Sequence, residues 1–231
     1  MLVTAVIIVA AGSALQAATG MGMALFAAPL LALIDPAFVP GPVLCAVMAL
    51  SAAVAWRERA FIDRRILFVA LLGFSAGCAI GAVLFAVLIG RDLDRVFAIL
   101  ILAAVFLSLA GLRIRISKLA LLIGGVSSGI LGTMAGVQGP PIALVLQHEE
   151  PNRLRATLCA FFASGSLVSL MALAAAGVFG VGELGLGLEL VPGVALGFAV
   201  APVFARRIGR RQARAAVLVI STLSALALLL R

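Results

Sequence analysis

The sequence predicts an all-α polytopic membrane protein made of two inverted repeats, each a broken helical hairpin plus three transmembrane helices. Three observations carry that expectation. Of 231 residues, 65% are hydrophobic and only 11% charged, against roughly 25% charged in a soluble domain. With a mean hydropathy of +1.29, the chain cannot dress its own surface for water, and soluble-enzyme and disordered classes are excluded. The basic residues cluster between apolar runs, the pattern of cytoplasmic loops in membrane proteins. Two of those runs are too long for one span and are interrupted at corresponding places.

The first run, residues 2–34, is broken by Thr19-Gly20-Met21-Gly22. A span needs about 20 residues and glycine weakens a helix, so the run reads as two arms around unwound backbone. It lacks the positive start of a signal peptide and continues to Ile34, so it reads as part of the mature fold. Segments 41–56, 66–90 and 96–112 read as single spans. Trp56 borders an arginine-rich loop as an interface anchor. Gly73, Gly77 and Gly81 recur every four residues as a packing seam. Segment 119–147 is interrupted by Gly136-Val137-Gln138-Gly139-Pro140-Pro141, and a double proline cannot continue a helix. Segments 156–178, 187–205 and 215–230 complete the spans. Residues 1–231 thus form one transmembrane domain, with repeat one at about 1–112 and repeat two at about 119–231.

Internal matches support the two halves. Gly20 and Gly136 lie 116 residues apart, and Leu44-Cys45-Ala46 matches Leu158-Cys159-Ala160. Ala49/Ala163 and Val54/Val168 continue in the same register. Paired, glycine- or proline-interrupted segments in two halves point to a transporter's binding site. Topology follows from parity. The loops 56–65, 113–118 and 206–214 are the most basic and belong on the cytoplasmic side. Three full crossings between 118 and 206 would put the last one outside. The conflict disappears if 119–147 enters and returns on one side, with its tip at Gly136–Pro141. By analogy, 2–34 is a hairpin from the outside, and the N-terminus is outside; the alternative is eight simple crossings, or seven with one apolar segment not spanning.

The net charge is +8, but the arginines are not interleaved with aromatics, which argues against nucleic acid. Cys45, Cys78 and Cys159 lie in apolar runs without a CxxC or Cys/His pairing, so no metal site is expected. Gly125-Val126-Ser127-Ser128-Gly129 matches GxSxG, yet it lies in a predicted helix with no histidine nearby. No cofactor motif is present, and the chain does not read as an enzyme.

Ionisable groups are nearly absent between the interfaces. Asp35, Glu58, Asp63, Asp92, Asp94, Glu149, Glu150 and Glu183 fall in loops or at segment ends. Glu189 alone sits inside an apolar run, near its expected start, and His148 is in a charged loop. An anion site at mid-membrane would then use backbone N–H groups and helix N-termini. Thr19, Gly20, Met21, Gly22, Gly136, Val137, Gln138, Gly139 and Pro140 are the expected lining. Pro140-Pro141 would preset the start of a second arm. Ser51 and Ser166 are further candidates, although helical serines more often bond their own backbone.

Ala18-Thr19-Gly20-Met21-Gly22-Met23-Ala24-Leu25 with Pro29-Leu30-Leu31 resembles the first repeat motif of the sulfite exporter TauE/SafE family. Gly132-Thr133-Met134-Ala135-Gly136-Val137-Gln138-Gly139-Pro140-Pro141-Ile142-Ala143-Leu144 resembles its second, where a GGPP-like turn is usual. Arg155-Ala156-Thr157 is also similar, and Gln138 replaces a glycine common in the family. The resemblance spans essentially the whole chain. It implies a permease of the bacterial inner membrane exporting sulfite or an organosulfonate by alternating access. The expected partners are a small anion and the lipid bilayer, and a homo-oligomer is compatible. The coupling ion stays open, as do two other readings, an anion channel and a non-transporting membrane subunit.

Overall fold

In a computed structural model, residues 1–20, 22–88, 93–110, 114–207 and 210–230 are described, without the side chains of 18 and 204–211. Met21, Asp92 and Arg113 lie outside the described residues. The chain there is helical: α1 Leu2–Thr19, α2 Met23–Ile34, α3 Gly41–Arg57, α4 Arg64–Leu88, α5 Leu93–Leu109, α6 Lys118–Ala135, α7 Gly139–Leu146, α8 Pro151–Ala175, α9 Val181–Glu189, α10 Val191–Arg207 and α11 Arg210–Leu229. Among the described residues, five stretches are long and apolar enough to cross a membrane: Arg64–Leu88, Lys118–Ala135, Pro151–Ala175, Val181–Val203 and Gln212–Leu229.

Both interrupted runs reverse direction. Gly20 ends α1 with φ 90°, and Gly22 precedes α2 with φ 117°. A Cβ on Gly12 would lie 3.3 Å from Met23 and 3.4 Å from the Phe26 ring, so α2 runs back along α1. Gly136 ends α6 with φ 73°. A Cβ on Gly124 would lie 3.0 Å from Val145, and the Ile142 amide donates to Ser128 Oγ at 3.2 Å. α7 therefore runs back along α6. Only glycine takes these left-handed conformations without strain, which is why both reversals fall on it.

The packing partners exchange when the halves are swapped. α4 packs on α6 as α10 packs on α1, α5 meets α7 as α11 meets α2, and α3 crosses α8. The α4–α6 contact is set by glycine. A Cβ on Gly73, Gly77, Gly125 or Gly129 would come within 2.2–2.3 Å of a carbonyl oxygen on the facing helix. Without side chains there, the backbones approach until van der Waals contact holds them, the mode used where lipid removes the hydrophobic drive between helices. α3 and α8 form the centre, with Leu44, Leu50, Leu158, Phe161 and Leu173 fully buried. Phe68, Val83 and Val87 on α4 and Leu223 on α11 face outward, as lipid-facing positions must.

One stretch differs from the sequence reading. The span expected to begin at 187 begins at Val181, because α9 nearly joins α10 across Leu190. Glu183 accepts from the Gly180 amide at 2.8 Å and opens the helix. Glu189 is thus at a helix junction and exposed, not near the start of a span.

The basic segments meet at one end. Arg155 Nε donates to Glu58 at 2.7 Å, and Arg57 reaches the same carboxylate at 3.0 Å. Arg153 pairs with Asp63, and Asp63 caps α4 through the Arg65 and Ile66 amides. Arg59 stacks 4.9 Å above the exposed Trp56 ring, the arrangement of an interfacial anchor.

Candidate functional site

The two reversals reach deep into the bundle from opposite directions. Gly20 touches α8: a Cβ there would lie 2.9 Å from Arg155 Cγ and 3.2 Å from its Cα. Gly136 touches the start of α3, with a would-be Cβ 3.2 Å from Val43. Each hairpin tip therefore packs on the first turns of the central helix of the other half.

Between the tips lies a small cavity of about 40 Å³. Its walls are Gln16, Gly22, Ala24, Leu25, Val47, Ser108, Val137, Gln138, Gly139, Pro140 and Phe162. A water needs roughly 10–15 Å³ on this measure, so the space suits a few waters or one small oxyanion. Gly22, Leu25, Ser108 and Pro140 also line a wider cavity of about 270 Å³. That outer part runs past Leu107, Leu144 and Val217 to Gln147, Leu154 and Arg214. The two parts form one chamber, opening toward the basic end. Among the described residues, no carboxylate or histidine lines it.

Each half carries a buried amide–hydroxyl pair. Gln16 Nε2 donates to Ser51 Oγ at 2.7 Å, and Gln138 Nε2 donates to Ser166 Oγ at 2.8 Å. The second Gln138 Nε2 proton goes to the Phe162 carbonyl at 3.2 Å. An amide NH₂ has two donors, so both of Gln138's are used within the protein. Its Oε1 is buried and unpartnered, and it lies near Gly132 and Gly165, 3.6 and 3.0 Å from their would-be Cβ positions. Gln138 is thus a positioning group that fixes the second tip against α8, with an acceptor to spare.

The two helix starts are not equivalent. α7 begins Gly139-Pro140-Pro141; the prolines have no N–H, and the Ile142 amide bonds Ser128. Gly139 carries the one remaining N–H of that turn, and the residue lines the inner cavity. α2 begins Met23-Ala24-Leu25, ahead of the Phe26 amide that bonds the Gly22 carbonyl at 2.9 Å. First-turn amides lack intrahelical partners, so α2 supplies most of the donors. Pro29 within α2 leaves the Leu25 carbonyl without its helical bond, and the one Ser221 hydroxyl proton on α11 is shared between Leu25 O and Val217 O, each at 2.6 Å.

Of the residues expected at the site, Gly22, Val137, Gln138, Gly139 and Pro140 line the inner cavity, and Thr19 lines the outer part. Thr19 Oγ1 also donates to Leu15 O at 2.8 Å in its own helix. Gly20 and Gly136 form the reversals behind the lining. Ser51 and Ser166 do not line the chamber; they hold Gln16 and Gln138. Gln16, Ser108 and Arg214 were not singled out by sequence. For Gln16 a signal existed: it is the one amide in the first apolar run.

Two halves with exchanged packing, two reversing hairpins and a chamber between their tips define a polytopic membrane protein of the transporter class. The profile of the sulfite exporter TauE/SafE family matches residues 4–228. The chain belongs to that family, whose members are membrane exporters of sulfite and related sulfur anions, not enzymes. No curated protein and no solved structure matches the chain.

Proposed function

We propose that the chain exports a small sulfur-containing anion, sulfite or an organosulfonate, bound in the chamber between the two hairpin tips. The observation that carries this reading is the neutral cavity bounded by the start of α2, Gln16, Gln138 and Gly139. A helix N-terminus offers oriented N–H donors and about half a positive charge, which attracts an oxyanion without a buried cation. The proposed substrate-contacting set is Gly22, Val137, Gly139 and Pro140, with Thr19 at the outer part. Gly20, Gly136, Gln138, Ser51 and Ser166 shape and hold the tips.

The halves are read as inverted across the membrane, with the basic end cytoplasmic and the N-terminus outside. The chamber then faces the cytoplasm, and alternating access carries the anion out. No carboxylate, histidine or lysine among the described wall residues is there to relay a proton. An inside-negative potential of 100 mV favours exit of one negative charge by about 2.3 kcal/mol, which suffices for export without one.

The test is efflux from proteoliposomes loaded with sulfite, an alkyl sulfonate or a carboxylate under an imposed potential. Saturable efflux of the sulfur anions, faster with the loaded side negative and impaired by Gly136→Leu, is the expected result. Non-saturating flux would make the protein a channel. Absence of flux together with a stoichiometric copurifying partner would make it a subunit.

A further inference from the structure

We propose that Arg214 recruits the anion at the mouth of the chamber, exchanging its bond to the Ser108 carbonyl for one to the substrate. This rests on the reading that the chamber carries an anion. Arg214 is the one charged side chain on the chamber wall among the described residues. It is exposed, and its Nη2 donates to Ser108 O at 2.5 Å. Ser108 lines both parts of the chamber, so the guanidinium is tethered at the path between them.

Three other arginines of this end have carboxylate partners: Arg57 and Arg155 share Glu58, and Arg153 has Asp63 and Glu149. Arg214 makes no ion pair among the described residues, and its partner is a neutral carbonyl. It lies in the second turn of α11, in the basic segment read as cytoplasmic. The bond to the Ser108 carbonyl is charged on the donor side alone, whereas an oxyanion adds the attraction of the opposite charge and a bidentate fit to the guanidinium fork. Exchange of Ser108 O for an oxyanion is therefore downhill, and the guanidinium fork has five N–H donors to share. From Arg214 the anion moves past Ser108 to the amides of α2.

The experiment measures sulfite transport in proteoliposomes with substrate supplied at the basic end, at low and high salt. Arg214→Gln is expected to raise KM about tenfold with Vmax nearly unchanged, since recruitment is binding shared by ground and transition states. Its KM should also lose most of the parent's salt dependence. Arg214→Lys keeps the charge and should stay within about threefold of the parent. Arg59→Gln removes the same charge away from the chamber and should match the parent. Arg214→Met serves if the glutamine variant does not fold. A parent-like KM in both neutral variants, or an equal rise in Arg59→Gln, would overturn the role of Arg214 alone. A parent protein without saturable flux would overturn the exporter reading and this proposal with it.

Discussion

Replacing Gly20 by alanine separates two costs that the structure combines at one residue. Gly20 has φ 90°, and its added Cβ would meet Arg155 at 2.9 Å from Cγ, 3.1 Å from Cβ and 3.2 Å from Cα. Gly177 has φ 72° with nothing within 4 Å. Both pay the left-handed penalty, about 1–2 kcal/mol. Only Gly20 adds overpacking, about 1–3 kcal/mol, and the Arg155 Cα cannot swing aside as a side-chain end could. The expected losses are about 2–5 kcal/mol for Gly20→Ala and about 1–2 kcal/mol for Gly177→Ala. At roughly 2–4 °C per kcal/mol for a chain of this size, the two midpoints should differ by several degrees. Cys45, Cys78 and Cys159 are buried, so a thiol-reactive dye reports unfolding in detergent. Gly20→Ala should also impair sulfite efflux while Gly177→Ala does not. Equal midpoints for the two variants would refute the reasoning, because the tip would then not be packed on α8.

Other outcomes follow from the same contacts. Gly77→Ala and Gly129→Ala place a Cβ against backbone oxygen and should each cost about 1–3 kcal/mol. Gly182→Ala in α9 has open space and should gain up to about 1 kcal/mol from helix propensity; thermal midpoints compare all three. Ser166→Ala removes the acceptor of a Gln138 proton and should cost about 1 kcal/mol. A double-mutant cycle with Gln138→Leu should return a coupling of similar size. Glu58→Gln breaks a carboxylate held by two arginines. Arg155 is about a quarter exposed, so screening limits the loss to about 1–2 kcal/mol, still more than Arg59→Gln.

Much of the fold was legible because membrane constraints are strong. Glycine and proline punctuation located both reversals at Gly20–Gly22 and Gly136–Pro141, where the structure has them. Clustered arginines located the end where Arg155 meets Glu58. The start of α9 was missed because Gly180, Gly182 and Gly185 interrupt the apolar pattern ahead of residue 187, yet Glu183 caps the helix and Gly187 lets it close on Cys45. The candidate site was half legible. Pro140-Pro141 marked the start of α7 correctly, but the same prolines remove the donors expected of it. Gln138 looked like a ligand, and its donors turn out to be consumed by α8. Gln16, Ser108 and Arg214 come from three separate helices, and only packing brings them to one wall.

The claim that anions bind on the first-turn amides of α2 is tested most directly by equilibrium binding of isotope-labelled sulfite to purified protein. Ala24→Pro removes one cavity-lining amide at a position where a helix tolerates proline, as this chain does at Pro140. The account predicts one site per chain, weakened at least about tenfold in Ala24→Pro by the lost charge-assisted bond, with the thermal midpoint little changed. Binding of parental strength in a folded Ala24→Pro protein would contradict it.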